Sequence, residues 1–427
     1  MSKTGASKGV GRLSEAVIGF AATRPEELFF QIRKGERPRP KAHACDSRSQ
    51  SWPQYFVVRL SDRCNLACTY CFDAANSARR QDMDLTTARQ IADYILRVPG
   101  SKPVISFFGG EPLVNWKTGR FLLETLRREG RAKGKDPYFN VITNGTLITP
   151  ELAAELVADD ITVQISIDGS RQDHDRYRRY PNGAGSHQAT LGGLELLRAA
   201  SPKARVDAQV VLTPGNVNLT GIAENLKAAG FRRIKFLHLS DSEGRKRVWP
   251  ASAVRRLMRG HEKFYRYYLQ SAINRHPEVD MGFAYLVASQ PEGPNGLCTC
   301  GSYEICIGAR GDIYPCPRLY GHPTVPTLGN CATIDPAVPL NVSRPAPSPD
   351  SECARCWAFD WCGGGCSFQC QKCALMPSGR STVTQRLWCD LMRARFARAA
   401  ITYRLLRQSH PKCLESIQML FSDGSAA

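Results

Sequence analysis

The chain has no apolar run approaching the roughly 20 residues that span a bilayer as a helix. A membrane partner is therefore not expected. Its 57 Lys and Arg outnumber its 39 Asp and Glu, for a net charge of +18. Yet no dense stretch of Lys and Arg is interleaved with aromatics, so nucleic acid is not expected either. The N-terminus is basic, but Ala16–Ala22 is short, only mildly apolar and abutted by Glu15. That is not the apolar segment of a secretory signal, and the protein reads as cytoplasmic. Cysteine is missing from 72 to 297, although the chain holds 17. One stands at Cys45, three at Cys64, Cys68 and Cys71, and thirteen between Cys298 and Cys413. Small exported scaffolds are stapled evenly, whereas a cysteine-free core between two cysteine-bearing segments in a reducing cytosol points to metal.

The first group reads SDRCNLACTYCFD over residues 61–73, a C-x3-C-x2-C spacing with Tyr70 before the third cysteine. A four-iron cluster normally takes four thiolates. Three close cysteines ligate three irons and leave the fourth open, as an open position on a catalytic metal is left for substrate. A zinc knuckle or a partial disulfide set is the competing account. Both want an even count or a nearby histidine, and none follows.

From Gln54 onward the pattern alternates strands and helices. Strands are expected at 54–60, 104–108, 138–143, 161–168, 205–212 and 231–239, from β-branched and aromatic content. Helices are expected at 84–98 (with Asp84 as N-cap), within 116–129, at 150–159, around 188–200, at 219–230 and at roughly 251–270. Six such units imply a parallel sheet with right-handed crossovers. Chemistry in such folds gathers in the loops after the strand C-termini. The cysteine motif follows the first strand, and Gly109-Gly110-Glu111 ends the second. Asn144 follows the third, and Ser166 and Asp168 end the fourth. His174, Asp175, Arg176, Arg178 and Arg179 come next; they could face substrate, but the stretch reads rather as a solvated loop. Residues 271–297 read as a connector. At the N-terminus, Leu13–Ile32 could form weak helical turns and Lys34–Lys41 reads as a linker.

The motif with its preceding aromatic resembles the radical S-adenosylmethionine (SAM) enzymes. The resemblance implies that Cys64, Cys68 and Cys71 hold a [4Fe-4S] cluster whose open iron chelates S-adenosyl-L-methionine. Tyr70 would lie near the adenine, and Gly109, Gly110 and Glu111 would hold the methionine amino group. Asn144, Ser166 and Asp168 would contact ribose or carboxylate. A low-potential electron donor of flavodoxin or ferredoxin type is implied as a partner.

Downstream stand Cys300-x5-Cys306, Gly311-x4-Cys316, then Cys353-x2-Cys356-x5-Cys362-x3-Cys366, and Cys389. On count alone, eight cysteines would also serve two zinc ions. The order of these cysteines resembles the SPASM domain of peptide and protein maturases, which implies two auxiliary [4Fe-4S] clusters. One would use Cys300, Cys306, Cys316 and Cys366, and the other Cys353, Cys356, Cys362 and Cys389. Cys298 is an alternative to Cys300, and Cys370 or Cys373 to Cys389. The implied fold is α/β, a partial (β/α)6 barrel followed by a small cysteine-rich domain. Its segments are a basic tail or docking element (1–50), the radical SAM core (51–285), the auxiliary-cluster domain (296–400) and a C-terminal tail (401–427). The implied activity is that of a peptide maturase installing a C–S or C–C crosslink, or a related modification, in a ribosomally made precursor peptide. An anaerobic sulfatase maturase forming formylglycine is the alternative enzyme. In those enzymes an aspartate acting as base follows the cysteine at the place of Cys316. Here Pro317 and Arg318 follow it, and no base is identified. A non-catalytic metal-stabilised binding protein is the alternative of a different class.

Overall fold

The computed structural model describes residues 52–74, 81–239, 249–274, 276–288, 298, 300–322, 325–340, 352–353, 355–366 and 383–421. The expected N-terminal docking element, Cys45, Cys370 and Cys373 lie outside the described residues.

The strands are β1 (Tyr55–Ser61), β2 (Val104–Gly109), β3 (Tyr138–Thr143), β4 (Thr162–Ser166), β5 (Val206–Leu212) and β6 (Arg233–His238). Between them run α1 (Leu85–Arg97), α2 (Trp116–Ala132), α3 (Pro150–Ala158), α4 (Arg171–Tyr177), α5 (His187–Ala200) and α6 (Leu219–Ala228). Asp84 caps α1, its side chain accepting from the Thr87 amide at 2.7 Å. The long α7 spans Ala251–Ile273. All six strands pair in parallel, in the order β6-β5-β4-β3-β2-β1.

Alternation along each strand divides the two faces. Phe56, Val58, Leu60, Ile105, Phe107, Val141, Val163, Ile165, Ile234 and Phe236 join the core under the helices. The other face carries Tyr55, Val57, Arg59, Ser106, Asn140, Gln164, Gln209 and Lys235, and it is largely polar. Here Ser106 donates to Asn140 at 2.6 Å. Lys235 on β6 comes within electrostatic range of Glu304 beyond the other end of the six-strand run. The sheet therefore curls, and the polar face lines its concave side. The partial barrel expected from the sequence is present.

Two expectations are corrected. The 271–297 connector carries a helix, α8 (Met281–Ala288), whose Met281, Phe283, Ala284, Leu286 and Val287 are buried. The C-terminal tail expected from 401 is helical. The helix that begins at Val383, α9, runs through to Ser409, and α10 (Pro411–Met419) buries Cys413, Leu414 and Ile417. Apolar spacing too sparse to read as a core face is packed because α7 and α8 offer it a surface. The cysteine-rich segment continues the same sheet. Its first strand, β7 (Glu304–Ile307), pairs in parallel with β1, and β8 (Asp312–Tyr314) and β9 (Gly329–Asn330) extend the sheet antiparallel. Among the described residues, no helix is long and apolar enough to cross a membrane.

Candidate active site

The cysteine loop leaves the C-terminal end of β1, where Ser61 Oγ donates to Asp82 Oδ1 at 2.6 Å, and is gripped by four further neighbours. The first is Arg59, wholly buried on β1. Its Nη2 donates to Asp62 Oδ1 at 2.9 Å and to Asp73 Oδ2 at 2.6 Å. These two aspartates stand just before and just after the three cysteines, so one guanidinium ties both ends of the loop. Its Nη1 has no hydrogen-bond partner, and the ring of Tyr320 covers the guanidinium at 4.1 Å from its centroid. Tyr320 also donates to Asp62 at 3.2 Å. Nothing in the sequence marked Arg59, which reads as an ordinary polar residue of a half-buried strand.

The second neighbour is the Gly-Gly-Glu turn after β2. Gly110 N donates to Ser61 O and Glu111 N to Arg63 O, each at 2.8 Å. A Cβ on Gly109 would stand 2.2 Å from Ser61 O, and one on Gly110 2.4 Å from Arg63 O. Gly109 also has φ +146°, which side chains rarely adopt. Both glycines are thus required by the close approach of the cysteine loop's own backbone. The Glu111 carboxylate accepts from Leu113 N (3.1 Å), Thr143 Oγ1 (2.7 Å) and Asn144 N (2.8 Å). Burial pushes its pKa up to about 7, against those three donors, which hold it down. Glu111 thereby joins the ends of β2 and β3 and keeps little acceptor capacity for an ammonium.

The third neighbour is the β3 loop. Asn144 Nδ2 donates to Asn65 Oδ1, and Asn65 Nδ2 to Thr146 Oγ1, each at 2.8 Å. Asn144 Nδ2 also stands 4.0 Å from the Cys64 sulfur. The fourth is the segment at the end of α4, where Ala67 N donates to Arg179 O (2.7 Å) and Thr69 N to Tyr177 O (2.9 Å).

That segment was expected to be a solvated loop, and this is corrected. His174 is fully buried and Arg178 is 7% exposed. Arg178 Nε donates to Asp168 Oδ2 at 2.9 Å, and its guanidinium lies 5.3 Å from the Tyr70 ring centroid. Asp168 also receives the Tyr70 hydroxyl and the Val211 amide (3.0 Å). Asp168 is wholly buried and spends its acceptors on protein donors, so here it positions Tyr70 and Arg178. Charged residues in a loop ordinarily stay in water; these two are buried because each neutralises the other. Ser166 stands half-buried at the end of β4.

The three sulfurs of Cys64, Cys68 and Cys71 lie within electrostatic range of one another. Burial raises the Cys68 thiol and takes that of Cys71 up to about 11. Without metal these thiols hold their protons, and binding iron would release them. Three soft donors on one loop fit a four-iron cluster with an open iron.

In the C-terminal segment, Cys353, Cys356, Cys362 and Cys389 are all within mutual electrostatic range. A one-turn helix, Phe359–Cys362, brings Cys362 round, and Cys389 comes from α9. Cys298, Cys300 and Cys316 are joined by thiol hydrogen bonds, and Cys366 packs against the same small cluster. Cys306 is set apart, buried on β7 among Tyr55, Val57, Tyr314 and Tyr320, within electrostatic range of Cys316 and Arg59. Among the described residues, no three His, Cys, Asp or Glu side chains close around a single ion. A four-iron cluster binds each thiolate on a separate iron and takes more widely spaced donors.

The radical SAM superfamily profile matches residues 58–218, from β1 to the start of α6. An uncharacterized protein of Methanocaldococcus jannaschii is 30% identical over 287 residues, 65% of this chain and 88% of that one. The mycofactocin maturase MftC of Mycolicibacterium smegmatis is 26% identical over 348 residues, 77% of this chain and 82% of that one. The solved structure of anSMEcpe with bound AdoMet and the Kp18Cys peptide has TM-score 0.67 at 20% identity, covering 82% of this chain and 99% of that one. That last likeness is one of fold. The fold and the three-cysteine loop are those that bind S-adenosylmethionine and a [4Fe-4S] cluster. With the matched profile and relatives, they make this chain an enzyme of the radical SAM superfamily.

Proposed function

We propose that the protein modifies a ribosomally made precursor peptide, forming a C–S or C–C crosslink, and that its C-terminal cysteines hold two auxiliary [4Fe-4S] clusters. Residues 51–285 would form the radical core and 296–400 the auxiliary unit. A low-potential flavodoxin or ferredoxin would supply electrons. The observation that carries this reading is the junction of the two cysteine groups. β7 lies against β1, and Tyr320 contacts both Arg59 and Asp62 at the root of the radical loop.

Cys64, Cys68 and Cys71 would hold the cluster, and S-adenosylmethionine bound there would supply radical chemistry able to take a hydrogen atom from the peptide. The chain's own residues provide the rest. Arg59, Gly110 and Asn65 fix the loop, and Arg178 and Asp168 fix Tyr70. Closing a bond from a carbon radical to a thiol releases one proton and one electron. A site for such chemistry therefore needs a one-electron acceptor, and iron–sulfur clusters span a wide range of potentials. Two observations speak against sulfatase maturation. Pro317 and Arg318 stand where those enzymes carry a base, and Arg318 lies over the Phe72 ring, 5.8 Å from its centroid.

The test is anaerobic reconstitution followed by reduction with S-adenosylmethionine. About twelve iron and twelve sulfide per chain are expected from three four-iron clusters. Changing Cys64, Cys68 and Cys71 together to Ala should abolish 5'-deoxyadenosine while about eight iron remain. 5'-Deoxyadenosine formation by that variant, or none by the wild type, refutes the reading.

A further inference from the structure

At the pole opposite the cysteine loop, the strands begin around a cleft of about 730 Å³, a size within the ordinary range of binding pockets. Gln54 precedes β1, Val104 opens β2 and Tyr138 opens β3, while Asp160, Arg205 and Tyr303 stand just before β4, β5 and β7. Five cations line the cleft, Lys102, Arg127, Arg131, Lys135 and Arg205, against two carboxylates, Asp136 and Asp160. Three of the cations brace its walls. Arg127 pairs with Asp159 and Arg205 with Asp160, and Lys135 Nζ donates to the carbonyls of Val98 and Gly100, each at 2.6 Å. Lys102 and Arg131 are exposed at the mouth, and among the described residues neither lies within 4 Å of a carboxylate. The neighbouring charges leave the positive excess as it is. Lys133, between Arg131 and Lys135, offsets Asp159, Arg233 pairs with Asp207 at 3.3 Å, and Lys235 offsets Glu304.

The auxiliary cysteines begin at the same pole. Tyr303 forms one wall of the cleft, and its carbonyl accepts from the amides of Gln54 and Tyr55, each at 2.9 Å. Cys300 precedes Tyr303 by three residues, which span about 11 Å at most. Gly301 N donates to Pro315 O at 2.9 Å, so Cys316 sets out from the same place. The cysteine loop stands at the other end of β1, whose seven residues hold the two ends about 20 Å apart. A molecule seated in the cleft is thus nearer the second cysteine group than the first. A cluster on the auxiliary thiolates would be net negative, but it would lie behind Tyr303, whereas the unpaired cations stand at the mouth.

We propose that this cleft docks the electron carrier, a small one-electron protein with an acidic face around its redox group, which there reduces the auxiliary cluster at Cys300 and Cys316. This rests on the auxiliary-cluster reading and adds to it a place and a partner chemistry. One electron leaves the reduced carrier and enters the cluster, and no atom is transferred. The charge of the cleft argues for such a partner. A cleft lined by one sign of charge focuses its field and gathers a partner of the other sign. Electron-transfer partners meet through small interfaces, and steering by charge speeds their encounter. The precursor peptide is a poorer occupant, because its hydrogen atom is taken at the opposite pole.

The first probe is a flavodoxin, used oxidised for binding and as its hydroquinone for electron transfer. The second is the same flavodoxin with its surface carboxylates amidated, and the third a fluorescent Glu-rich dodecapeptide. Binding to the reconstituted holoenzyme is read by calorimetry for the flavodoxins and by anisotropy for the peptide, at low and at raised salt. Electron transfer is read by stopped-flow bleaching of the iron–sulfur absorbance after Cys64, Cys68 and Cys71 are all changed to Ala, which leaves only the auxiliary clusters. Reversing the charge at the mouth, Lys102→Glu with Arg131→Glu, should weaken flavodoxin binding at least about tenfold at low salt and slow bleaching in proportion. Lys102→Arg with Arg131→Lys should match the wild type. 5'-Deoxyadenosine formation driven by dithionite, a reductant that needs no docking, should stay within about twofold in the charge-reversed variant. Wild-type binding should weaken with added salt and with amidation. Binding that is indifferent to salt, to amidation or to charge reversal overturns the proposal. So does bleaching of the reversed variant at the wild-type rate, loss of its iron, or a Glu-rich peptide that binds as tightly as flavodoxin, which would give the cleft to an acidic peptide. A C-terminal segment that takes up zinc and no iron would instead refute the auxiliary-cluster reading, which the binding ratios do not depend on.

Discussion

Replacing Arg59 with Met should be among the most damaging single changes in the chain. The guanidinium is wholly buried, and its two partners, Asp62 and Asp73, are only 1% and 5% exposed. Methionine fills much of the volume, so the loss is electrostatic. Two carboxylates are left buried, close together and without a cation. Removing one partner from a buried ion pair costs about 3–5 kcal/mol, chiefly because the survivor stays buried and unpaired. Here one removal strands two carboxylates, and Tyr320 loses the cation over its ring as well. That loss is comparable to the ~5–15 kcal/mol of net stability of a typical domain. Arg59→Lys keeps a charge, but a point ammonium cannot serve two separated carboxylates as a planar fork does. It should lose about half as much. The decisive variant combines Arg59→Met with Asp62→Asn and Asp73→Asn. A buried ionic group replaced as a whole by neutral residues is often close to neutral, so the triple variant should recover most of the loss. The assay is anaerobic guanidinium unfolding of the reconstituted protein, followed by tryptophan fluorescence and by cluster absorbance. If Arg59→Met unfolds within about 1 kcal/mol of wild type, the size of an ordinary substitution, the guanidinium is not what ties the loop. If the triple variant is no better than the single one, the loss lay in packing and the electrostatic account fails.

Gly110→Ala brings a Cβ to 2.4 Å from the Arg63 carbonyl, a backbone clash that side-chain motion cannot relieve. Overpacking of about 1–3 kcal/mol is expected, and 5'-deoxyadenosine formation, measured by chromatography, should fall by at least about tenfold. Asp84→Ala removes the N-terminal cap of α1 and should cost about 1 kcal/mol in urea unfolding. His174 is buried neutral. Burial first, and then the charge of Arg178, lower its pKa from 6.5 to about 3. Its contribution to stability is therefore complete above pH 6.5 and is lost as pH falls from there toward 3. Between pH 7.5 and 5 the wild type should lose about 2 kcal/mol more than His174→Gln in paired unfolding curves; parallel losses would refute the assignment.

The alternation of strands and helices was legible because each strand here is a dense β-branched or aromatic run and each helix has an apolar stripe. The polar groups at the strand ends were legible for a topological reason, since any parallel sheet collects its loops on one rim. What was not legible depends on contacts distant in sequence. Arg59 looks like any polar residue on an alternating strand, and its role requires Asp62, Asp73 and Tyr320 together. Arg178 sits among Arg176 and Arg179 in a charged stretch, and only the approach of Asp168 and Tyr70 selects it for burial. The helix at Met281–Ala288 and the packed C-terminus need each other's surfaces, which a local pattern cannot show. The pairing of β7 with β1 has no local signal at all, because the strand is four residues long and follows a cysteine.

These misses share a physical cause that bears on the site. The cysteines name the ligands of the radical cluster, but they carry no information about how their loop is held. That loop contributes no strand or helix of its own, so its geometry has to come from outside it. It comes from Arg59 beneath, from two glycines admitting its backbone, from Asn65 and Asn144, and from the end of α4. Among these supports, Arg59 also touches the cysteine-rich segment, through Tyr320. Whatever displaces Tyr320 therefore acts on the Arg59–Asp62 pair and on the start of the cysteine loop. The radical loop and the segment bearing the second cysteine set thus meet at Arg59, Asp62 and Tyr320 as well as at Phe72 and Arg318, and a substitution at Tyr320 should be felt at both.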